Sequence, residues 1–267
     1  MRPVALLTDF GLVDHYLGVL HAVLEKHTPG VPRLDLGHLV PPGDVWAASF
    51  QLRCAWPSLP AGCVVLAVVD PGVGTDRRAL ALELGKRFLV APDNGLAASL
   101  GAASRAVELD WRRMGLAEPS RTFHGRDLFA PAAARLARGD ELDTLGASVD
   151  PHLLVACPLP DPEPLTSGYS ATVVSVDRFG NLVTNLPASS VGPGSMAAWS
   201  NGAAARRVAT YGVAGDDEIV LLEGSTGLLE LAVRGGSAAA ATGLRRGDSI
   251  RITHDDDADD DDDDGDD

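Results

Sequence analysis

The sequence predicts an α/β fold, an N-terminal domain with a central, largely parallel sheet, followed by a small all-β barrel domain. Three observations lead to this prediction. The first half alternates apolar strand-like runs with helical segments, an order typical of a parallel α/β layer. Prolines at 151, 158, 160, 162 and 164 then interrupt the chain. The second half contains only short strand-like runs between glycine turns, which is typical of a barrel.

The individual elements follow from the spacing of apolar residues and from capping residues. Helices are expected from Asp14 through Leu24, from Asp44 to about Trp56, and over 128–138, where Gly139 would end the helix. In the first half, strands are predicted over 4–8, 33–37, 64–69, 79–84, 87–90 and 105–109. In the second half, they are predicted over 170–177, 182–185, 207–211, 218–223, 228–233 and 249–253.

The domain limits follow from the same shifts in composition. We expect an α/β domain over 1–150, a stiff proline-rich linker over 151–167, a barrel over 168–254 and a disordered tail over 255–267. The tail holds eleven aspartates, and removing them from the net charge of −15 leaves −4 for the rest of the chain. The acidity of the protein therefore belongs to its tail, whose expected role is solubility or none.

Composition and spacing exclude several classes of partner and site. A mildly acidic body without clustered Lys and Arg argues against nucleic acid, and the apolar run 64–69 is too short for a membrane span. The N-terminus lacks the apolar core of a signal peptide. Three cysteines, Cys54, Cys63 and Cys157, have no CxxC spacing, so neither a disulfide framework nor zinc is expected. We therefore predict a cytoplasmic protein with reduced thiols.

Histidines do not predict a metal site either. His15, His21 and His27 lie six residues apart, and in a helix such positions rotate by about 240° at each step. They cannot share a face, so a histidine cluster is not expected. His38, just beyond a predicted strand, is interpreted as a structural loop histidine.

The segment VVLAVVDPGVGTDRR, residues 64–78, is the centre of the functional prediction. Its apolar strand ends at Asp70, and Pro71, Gly72 and Gly74 allow a tight loop that comes close to a ligand. Ligands of open α/β sheets bind at the carboxyl ends of strands. Asp70 and the two arginines that close the loop, Arg77 and Arg78, are therefore candidates for chemistry, although an Asp-Pro-Gly turn at a strand end can also be merely structural.

Other strand ends carry polar residues that could meet Asp70 and Arg77 at the same edge of the sheet: Asp9, Asp14, Asn94 and His124. A carboxylate, a guanidinium and an imidazole can hold and activate a water molecule, which predicts hydrolysis. The chain lacks a GxSxG elbow and a P-loop, which disfavours a covalent serine nucleophile and a P-loop nucleotidase. A metal phosphohydrolase built from Asp9, Asp70, Asn94 and His124 stays open as an alternative.

Five segments resemble one known family, the S-adenosylmethionine hydroxide adenosyltransferases, hydrolase relatives of the fluorinase and chlorinase enzymes. The resemblance runs from about Val4 to Thr253. It rests on LTDFG at 7–11 with Asp14, VDPGVGT at 69–75 with Arg77 and Arg78, APDNGL at 91–96, TFHGRD at 122–127, and DRFGNLVTN at 177–185.

The resemblance implies both an assembly and a reaction. It implies a homotrimer, with each site between the α/β domain of one subunit and the barrel of its neighbour. Water would attack the ribose C5′ of S-adenosylmethionine, a small-molecule substrate, in line with the departing thioether. The products would be adenosine and L-methionine, with no cofactor and no metal.

Residue roles carried over from the family complete the expectation. Asp70, Arg77 and His124 match its water-activating triad, with Arg78 as the alternative to Arg77. Asp9 matches the acid that binds the ribose hydroxyls. The methionine end would be held at Asp14, Tyr16 and Asp177, and the nucleoside near Asn94 and Asn181.

Retention of the triad favours water over halide, because a carboxylate at position 70 repels chloride and fluoride. A chlorinase-like halogenase and a non-catalytic nucleoside-binding protein stay as further alternatives. The sequence departs from the family pattern at three positions. Gly43 stands near an aromatic of the halogenating relatives, Gly37 where serine is expected, and Arg234 where many relatives have asparagine.

Overall fold

The computed structural model describes residues 1–156, 159–199 and 202–253. Two compact units divide the chain, Met1–Pro158 and Leu159–Asp267. Cys157 and the predicted aspartate tail lie outside the described residues. In the described ranges, no helix is long and apolar enough to cross a membrane. The domain limits predicted from the sequence stay a proposal.

The first unit is an α/β layer around one seven-stranded sheet, whose strand order is β2-β1-β3-β5-β4-β6-β7. A one-turn π-helix, Gly125–Phe129, leads into the third helix. The elements are β1 (Val4–Thr8), α1 (Tyr16–His27), β2 (Arg33–Gly37), α2 (Val45–Ala55), β3 (Val64–Val68), β4 (Ala79–Leu84), β5 (Arg87–Pro92), β6 (Arg105–Leu109), α3 (Ala130–Arg138) and β7 (Gly146–Val149).

The sheet is mixed, with one parallel half and one antiparallel half. Strands β2, β1, β3 and β5 are parallel neighbours. The tight hairpin at Gly85 (φ 60°) reverses the chain between β4 and β5, and β6 and β7 continue the antiparallel pattern. The α/β prediction is confirmed, and the parallel half is the part that carries the predicted strand-end residues.

Strands β1 and β3 are buried on both faces, as their continuous apolar runs predict. On one face, alternate residues such as Leu6 and Leu66 pack with α1, α3 and Phe129. On the other face, residues such as Leu7 pack with α2 through Leu52. This burial fixes the position in the sheet at which each strand ends.

Helix ends follow the predicted caps with one exception. Asp44 caps α2, accepting a 3.0 Å hydrogen bond from the backbone N–H of Ala47, and Gly139 ends α3 at φ 103°. The prediction that Asp14 caps the first helix is wrong. His15 occupies that position with helical backbone angles and makes no side-chain cap. Helix α1 therefore begins two residues later than Asp14.

The second unit is a nearly closed antiparallel barrel, which confirms the barrel prediction. The strand path is β12-β11-β15-β9-β10-β14-β13, with β8 beside β9, and a bridge between Arg207 and Leu221 links its two ends. The elements are β8 (Glu163–Leu165), β9 (Gly168–Val176), β10 (Leu182–Pro187), β11 (Met196–Ala198), β12 (Ala204–Arg206), β13 (Ile219–Glu223), β14 (Leu228–Val233), α4 (Ala238–Thr242) and β15 (Ser249–Thr253).

The strand predicted over 207–211 is wrong. Strand β12 ends at Arg206, and Tyr211–Val213 forms a short 3-10 turn. Arg207, the residue after β12, makes only a single bridge with Leu221, and its guanidinium donates to the carbonyls of Val191 and Gly192. Part of the predicted linker is also regular, since β8 pairs with β9.

Candidate active site

A cavity of about 230 Å³ opens in the first unit where β1 and β3 end side by side. Its lining combines two carboxylates, an imidazole and three aromatic rings: Asp9, Asp70, His124, Phe10, Tyr16 and Phe123. Adjacent parallel strands deliver the first two of these, because residues that follow neighbouring strands meet at one edge of the sheet. The structure thus brings together residues that are more than one hundred positions apart in sequence.

The loop after Asp70 turns back on itself and returns Arg77 to that carboxylate. Thr75 closes the turn through its hydroxyl, which donates a 2.6 Å hydrogen bond to the carbonyl of Gly72. Gly74 has φ 78°, and a Cβ there would lie 2.4 Å from the carbonyl oxygen of Arg121. Only glycine fits such a position, since a side chain would be both strained and in collision with backbone.

Arg77 forms a forked ion pair with Asp70. Its Nε lies 3.0 Å from Oδ1, and its Nη2 lies 2.5 Å from Oδ2. Both side chains are largely buried, with exposed fractions of 10% for the arginine and 6% for the aspartate. The fork fixes the plane of the carboxylate while leaving other lone pairs for a ligand in the cavity.

The same guanidinium holds His124. Arg77 Nη2 lies 2.7 Å from His124 Nδ1, and the guanidinium carbon lies 5.2 Å from the centre of the Phe129 ring. A guanidinium can only donate, so Nδ1 must accept. The neutral ring therefore carries its proton on Nε2, and that N–H is a donor rather than a base.

The π-helical turn Gly125–Phe129 places His124 at the mouth of the cavity. A Cβ on Gly125 would lie 3.3 to 3.5 Å from Phe123, Phe10 and Leu20, so the turn sits tightly on the aromatic rings and on α1. Single π turns of this kind occur often at functional sites. A π turn has one residue more than an α-helical turn. In this turn, the His124 ring before it and the Phe129 ring at its end both contact Arg77.

Burial lowers the pKa of His124 below its ordinary value of 6.5, and the positive charge of Arg77 lowers it further. The carboxylates of Asp70 and Asp127 act in the opposite direction but do not outweigh these effects. Because the pKa falls, the imidazole is neutral at pH 7. This state is the one that can accept from Arg77.

The structure distinguishes the two adjacent arginines. Arg78 turns away from the cavity, where its Nε donates a 2.8 Å hydrogen bond to Asp93 and its Nη2 donates to the carbonyl of Leu153. Asp93 in turn accepts from the backbone N–H of Val155. Arg77 is thus the arginine that contacts Asp70, and Arg78 anchors the chain near position 155.

Asp9 lies beside the triad with one carboxylate oxygen already held. Its Oδ2 accepts a 2.8 Å hydrogen bond from the backbone N–H of Gly43, which has φ 70°. The side-chain amide of Asn94 donates a hydrogen bond to the carbonyl of Val69, the residue after β3. Asp9 therefore faces the cavity, whereas Asn94 supports the loop that precedes Asp70.

Of the two residues predicted at the methionine end in this unit, only Tyr16 lines the cavity. Its ring packs with Phe123 at 5.3 Å and with Phe10 at 5.8 Å between centres. Asp14 is exposed beside it. The sequence analysis did not predict Phe10 and Phe123 as lining residues. Each is adjacent in sequence to a predicted site residue, Asp9 or His124, and this adjacency could have indicated them.

In the second unit, Asp177 and Asn181 form one tight loop. Asp177 Oδ1 accepts from the backbone N–H groups of Phe179 and Asn181, and Oδ2 accepts from the Asn181 amide at 2.9 Å. Gly180 has no room for a side chain, because a Cβ would lie 2.1 Å from Ser237 Oγ. The loop is thus rigid, and most of the Asp177 carboxylate is used within it.

Comparisons with known proteins identify the family of the chain. The model of the SAM hydroxide adenosyltransferase N-terminal domain matches residues 4–146, and that of the C-terminal domain matches residues 171–251. The chain belongs to the SAM hydroxide adenosyltransferase family. The two matches together cover most of both units.

Similar proteins support the assignment over nearly the whole chain. Proteins named (R)-S-adenosyl-L-methionine hydrolase are 45% identical in Salinispora tropica (94% of this chain, 97% of that one) and in Thermus thermophilus (94% and 100%). A fluorinase of Actinoplanes is 26% identical, over 68% of this chain and 66% of its own. A crystal structure of an uncharacterized conserved protein from Thermotoga maritima superposes with TM-score 0.88 at 32% identity, covering 94% of this chain and 100% of that one.

This family member also contains a buried carboxyl that sequence reasoning missed. Glu230, on β14, accepts a short hydrogen bond from the hydroxyl of Tyr211. Burial raises the pKa of Glu230, and the negative charge of Asp177 raises it further. The hydrogen bond to Glu230 raises the pKa of Tyr211 to about 12. The two residues lie 19 positions apart in sequence and form no recognisable motif.

The His124 environment gives a direct prediction for titration. Replacing Arg77 by Met removes the positive charge that lowers the His124 pKa, so that pKa should rise relative to wild type. NMR titration of the His124 ring protons measures both values. Arg78→Met is the matched control, because Arg78 pairs with Asp93, and it should leave the titration unchanged. A wild-type pKa at or above 6.5 would contradict the proposed environment.

Proposed function

We propose that this protein hydrolyses S-adenosyl-L-methionine to adenosine and L-methionine, using Asp70, Arg77 and His124 to activate water. The observation that carries this proposal is the hydrogen-bonded group in which Arg77 contacts Asp70 and His124 at one cavity. Membership of the family and the names of the 45% identical relatives support the substrate.

We assign a distinct role to each member of the triad. His124 Nε2–H donates to the water oxygen and orients it, because Nδ1 is engaged by Arg77. Asp70 accepts the water proton through a lone pair that Arg77 does not use. Arg77 itself contacts no reacting atom in this scheme and keeps both partners aligned.

The reaction is a single in-line displacement. The water oxygen forms a bond to ribose C5′ while the bond from C5′ to sulfur breaks, and the electron pair of that bond returns to sulfur. A sulfonium becomes a neutral thioether, so no acid is needed on the leaving group. The main catalytic requirement is alignment of one water in a site shielded from solvent.

Substrate contacts complete the proposal. We assign Asp9 to the ribose hydroxyls, because a carboxylate can accept two hydrogen bonds from a diol. Tyr16 and Asp14 would hold the methionine end, with Asp177 opposite the ammonium. Asn181 would lie near the nucleoside. Asn94 would act through the loop before Asp70, since its amide already bonds Val69.

The alternatives have less support. In the described part of the chain, no group of three His, Cys, Asp or Glu is arranged to hold a metal ion. The metal phosphohydrolase alternative needs the side-chain oxygen of Asn94 as a ligand, and that oxygen already accepts a 3.3 Å hydrogen bond from the backbone N–H of Leu96. A halogenase needs an anion beside Asp70, which the carboxylate opposes. A nucleoside-binding protein would not need a water-orienting triad.

Isotope labelling tests the reaction. In water enriched in heavy oxygen, the label should enter the 5′-hydroxyl of adenosine in proportion to turnover, with equimolar methionine and without added metal. Mass spectrometry of both products provides the measurement, and a parallel incubation with chloride or fluoride tests for halogenated adenosine. Unchanged substrate, phosphate release, or a halogenated product would each contradict hydrolysis of S-adenosylmethionine.

Substitution of the proposed base gives a second test. Asp70→Asn should lower kcat by about 100- to 10,000-fold, the range for loss of a general acid or base, with a smaller change in KM. Asp76→Asn, in the same loop but exposed, is the matched control and should keep wild-type activity. Circular dichroism checks folding, because Arg77 loses its charge partner. An Asp70→Asn protein with wild-type kcat would remove Asp70 from the mechanism.

We also propose that the protein acts in the cytoplasm as a homotrimer, with each site completed by the barrel of a neighbouring subunit. Apolar side chains on the surface of the first unit support an interface: Leu12, Val13 and Leu39 are 65%, 97% and 69% exposed. Burying such residues against a second copy would remove apolar area from water.

Light scattering tests the assembly. The wild-type protein should have three times the mass of one chain, and Val13→Asp should reduce the mass by placing a charge in the interface. Lys86→Asp, an exposed charge change in the hairpin between β4 and β5, serves as control and should stay trimeric. A monomeric wild-type protein that turns over S-adenosylmethionine would contradict the shared site.

A further inference from the structure

A buried histidine outside the triad holds the loop that carries Asp9. His38 follows β2 and is only 5% exposed. Its ring Nδ1 lies 2.9 Å from the hydroxyl of Thr8, and its carbonyl accepts a 2.7 Å hydrogen bond from the backbone N–H of Gly11. One residue thus contacts the chain on both sides of Asp9.

The direction of these hydrogen bonds can be worked out from their donors. The backbone N–H of Phe10 donates to Thr8 Oγ1 at 3.3 Å, so the hydroxyl proton of Thr8 is available for the ring. The hydroxyl donates to His38 Nδ1 when the neutral ring carries its proton on Nε2. A chain of hydrogen bonds therefore runs from Phe10 through Thr8 to His38.

The opposite side of the ring meets a carboxylate. His38 Nε2 lies 3.1 Å from Asp35 Oδ1, off the direction of a regular hydrogen bond, and His21 Nε2 lies 3.1 Å from the same oxygen. A negative charge on that side favours a proton on Nε2. This is the tautomer in which Nδ1 can accept from Thr8.

Asp9 is consequently held at three points. Thr8 before it and Gly11 after it are tied to His38, and its own Oδ2 accepts from Gly43. Catalytic and binding side chains are effective only when their supporting contacts keep them within a fraction of an ångström of the required position. His38 is not among the residues that line the cavity, so it acts on a ligand through the loop that carries Asp9 and Phe10.

We propose that His38 and Thr8 are positioning residues that fix the Asp9 carboxylate for the ribose hydroxyls of the substrate. This inference rests on the proposed function, since it takes adenosyl ribose as the ligand. It predicts a specific coupling. Loss of the Thr8 to His38 hydrogen bond weakens binding only for ligands that carry those hydroxyls.

The experiment compares adenosine with 2′,3′-dideoxyadenosine, using full-length protein and calorimetry. Thr8→Val removes the hydroxyl while keeping the side-chain shape, and His38→Asn keeps an acceptor near the position of Nδ1. For adenosine, Thr8→Val should raise Kd by on the order of tenfold, the effect of one neutral hydrogen bond. His38→Leu should do the same, and His38→Asn should recover part of the loss. For the dideoxy ligand, each variant should bind as wild type does.

Thr28→Val is the matched control. Thr28 is a fully buried threonine of the same unit whose hydroxyl donates to the carbonyl of Leu24, at the end of α1. Its loss should lower stability in a similar way without changing either Kd. In an Asp9→Asn background, Thr8→Val should have no further effect, because residues that act through one group are not additive.

Two outcomes would overturn the inference. One is an equal loss of affinity for both ligands, which indicates a general loosening of the site. The other is a wild-type protein that does not distinguish adenosine from the dideoxy ligand. Turnover of S-adenosylmethionine by wild type is measured separately. Its absence would contradict the proposed function, while the adenosine affinities still decide the role of His38.

Discussion

The site depends on one guanidinium that has two partners. Arg77 pairs with Asp70 and at the same time donates to His124, so a single side chain aligns both partners. Burying an ion pair is expensive, and removing one partner leaves an uncompensated charge that typically costs about 3–5 kcal/mol. Here the cost of burying the ion pair is offset by a functional gain, since the same pair aligns a carboxylate and an imidazole. The same group explains why the imidazole is a donor rather than a base, because its other nitrogen is already engaged.

The parallel half of the sheet makes this group possible. β1 and β3 are adjacent and in register from Val4 opposite Val64 to Thr8 opposite Val68, so the residues after them emerge at the same height. Asp9 and Asp70 are neighbours for that reason. The antiparallel half has a different role, since its hairpin and outer strands extend the sheet without adding residues to the cavity. The third partner, His124, arrives through a π turn instead of a strand end.

Much of the fold could be predicted from local patterns, and the failures have local causes. Continuous apolar runs predicted β1 and β3, and Asp44 and Gly139 marked helix ends correctly. Asp14 does not cap α1, although aspartate is favoured at the N-cap. The cap position falls one residue later, at His15, whose backbone already has helical angles. Among the site residues, the motif positions Asp70, Arg77 and His124 were predicted from the sequence, with Arg78 left as the alternative to Arg77. That choice depends on where Asp93 lies in space, and adjacent residues in an extended segment point to opposite sides.

The departures at Gly43 and Gly37 can be understood from the backbone rather than from a missing side chain. Gly43 has φ 70°, a region that L side chains rarely adopt, and its N–H is the donor that holds Asp9. A residue with a Cβ at this position would strain the turn or change its backbone angles, and either change moves the donor. Gly37 is the residue before His38, and a Cβ added there would lie 3.3 Å from the side-chain oxygen of Gln51. Both glycines thus shape the backbone on which Asp9 and His38 depend.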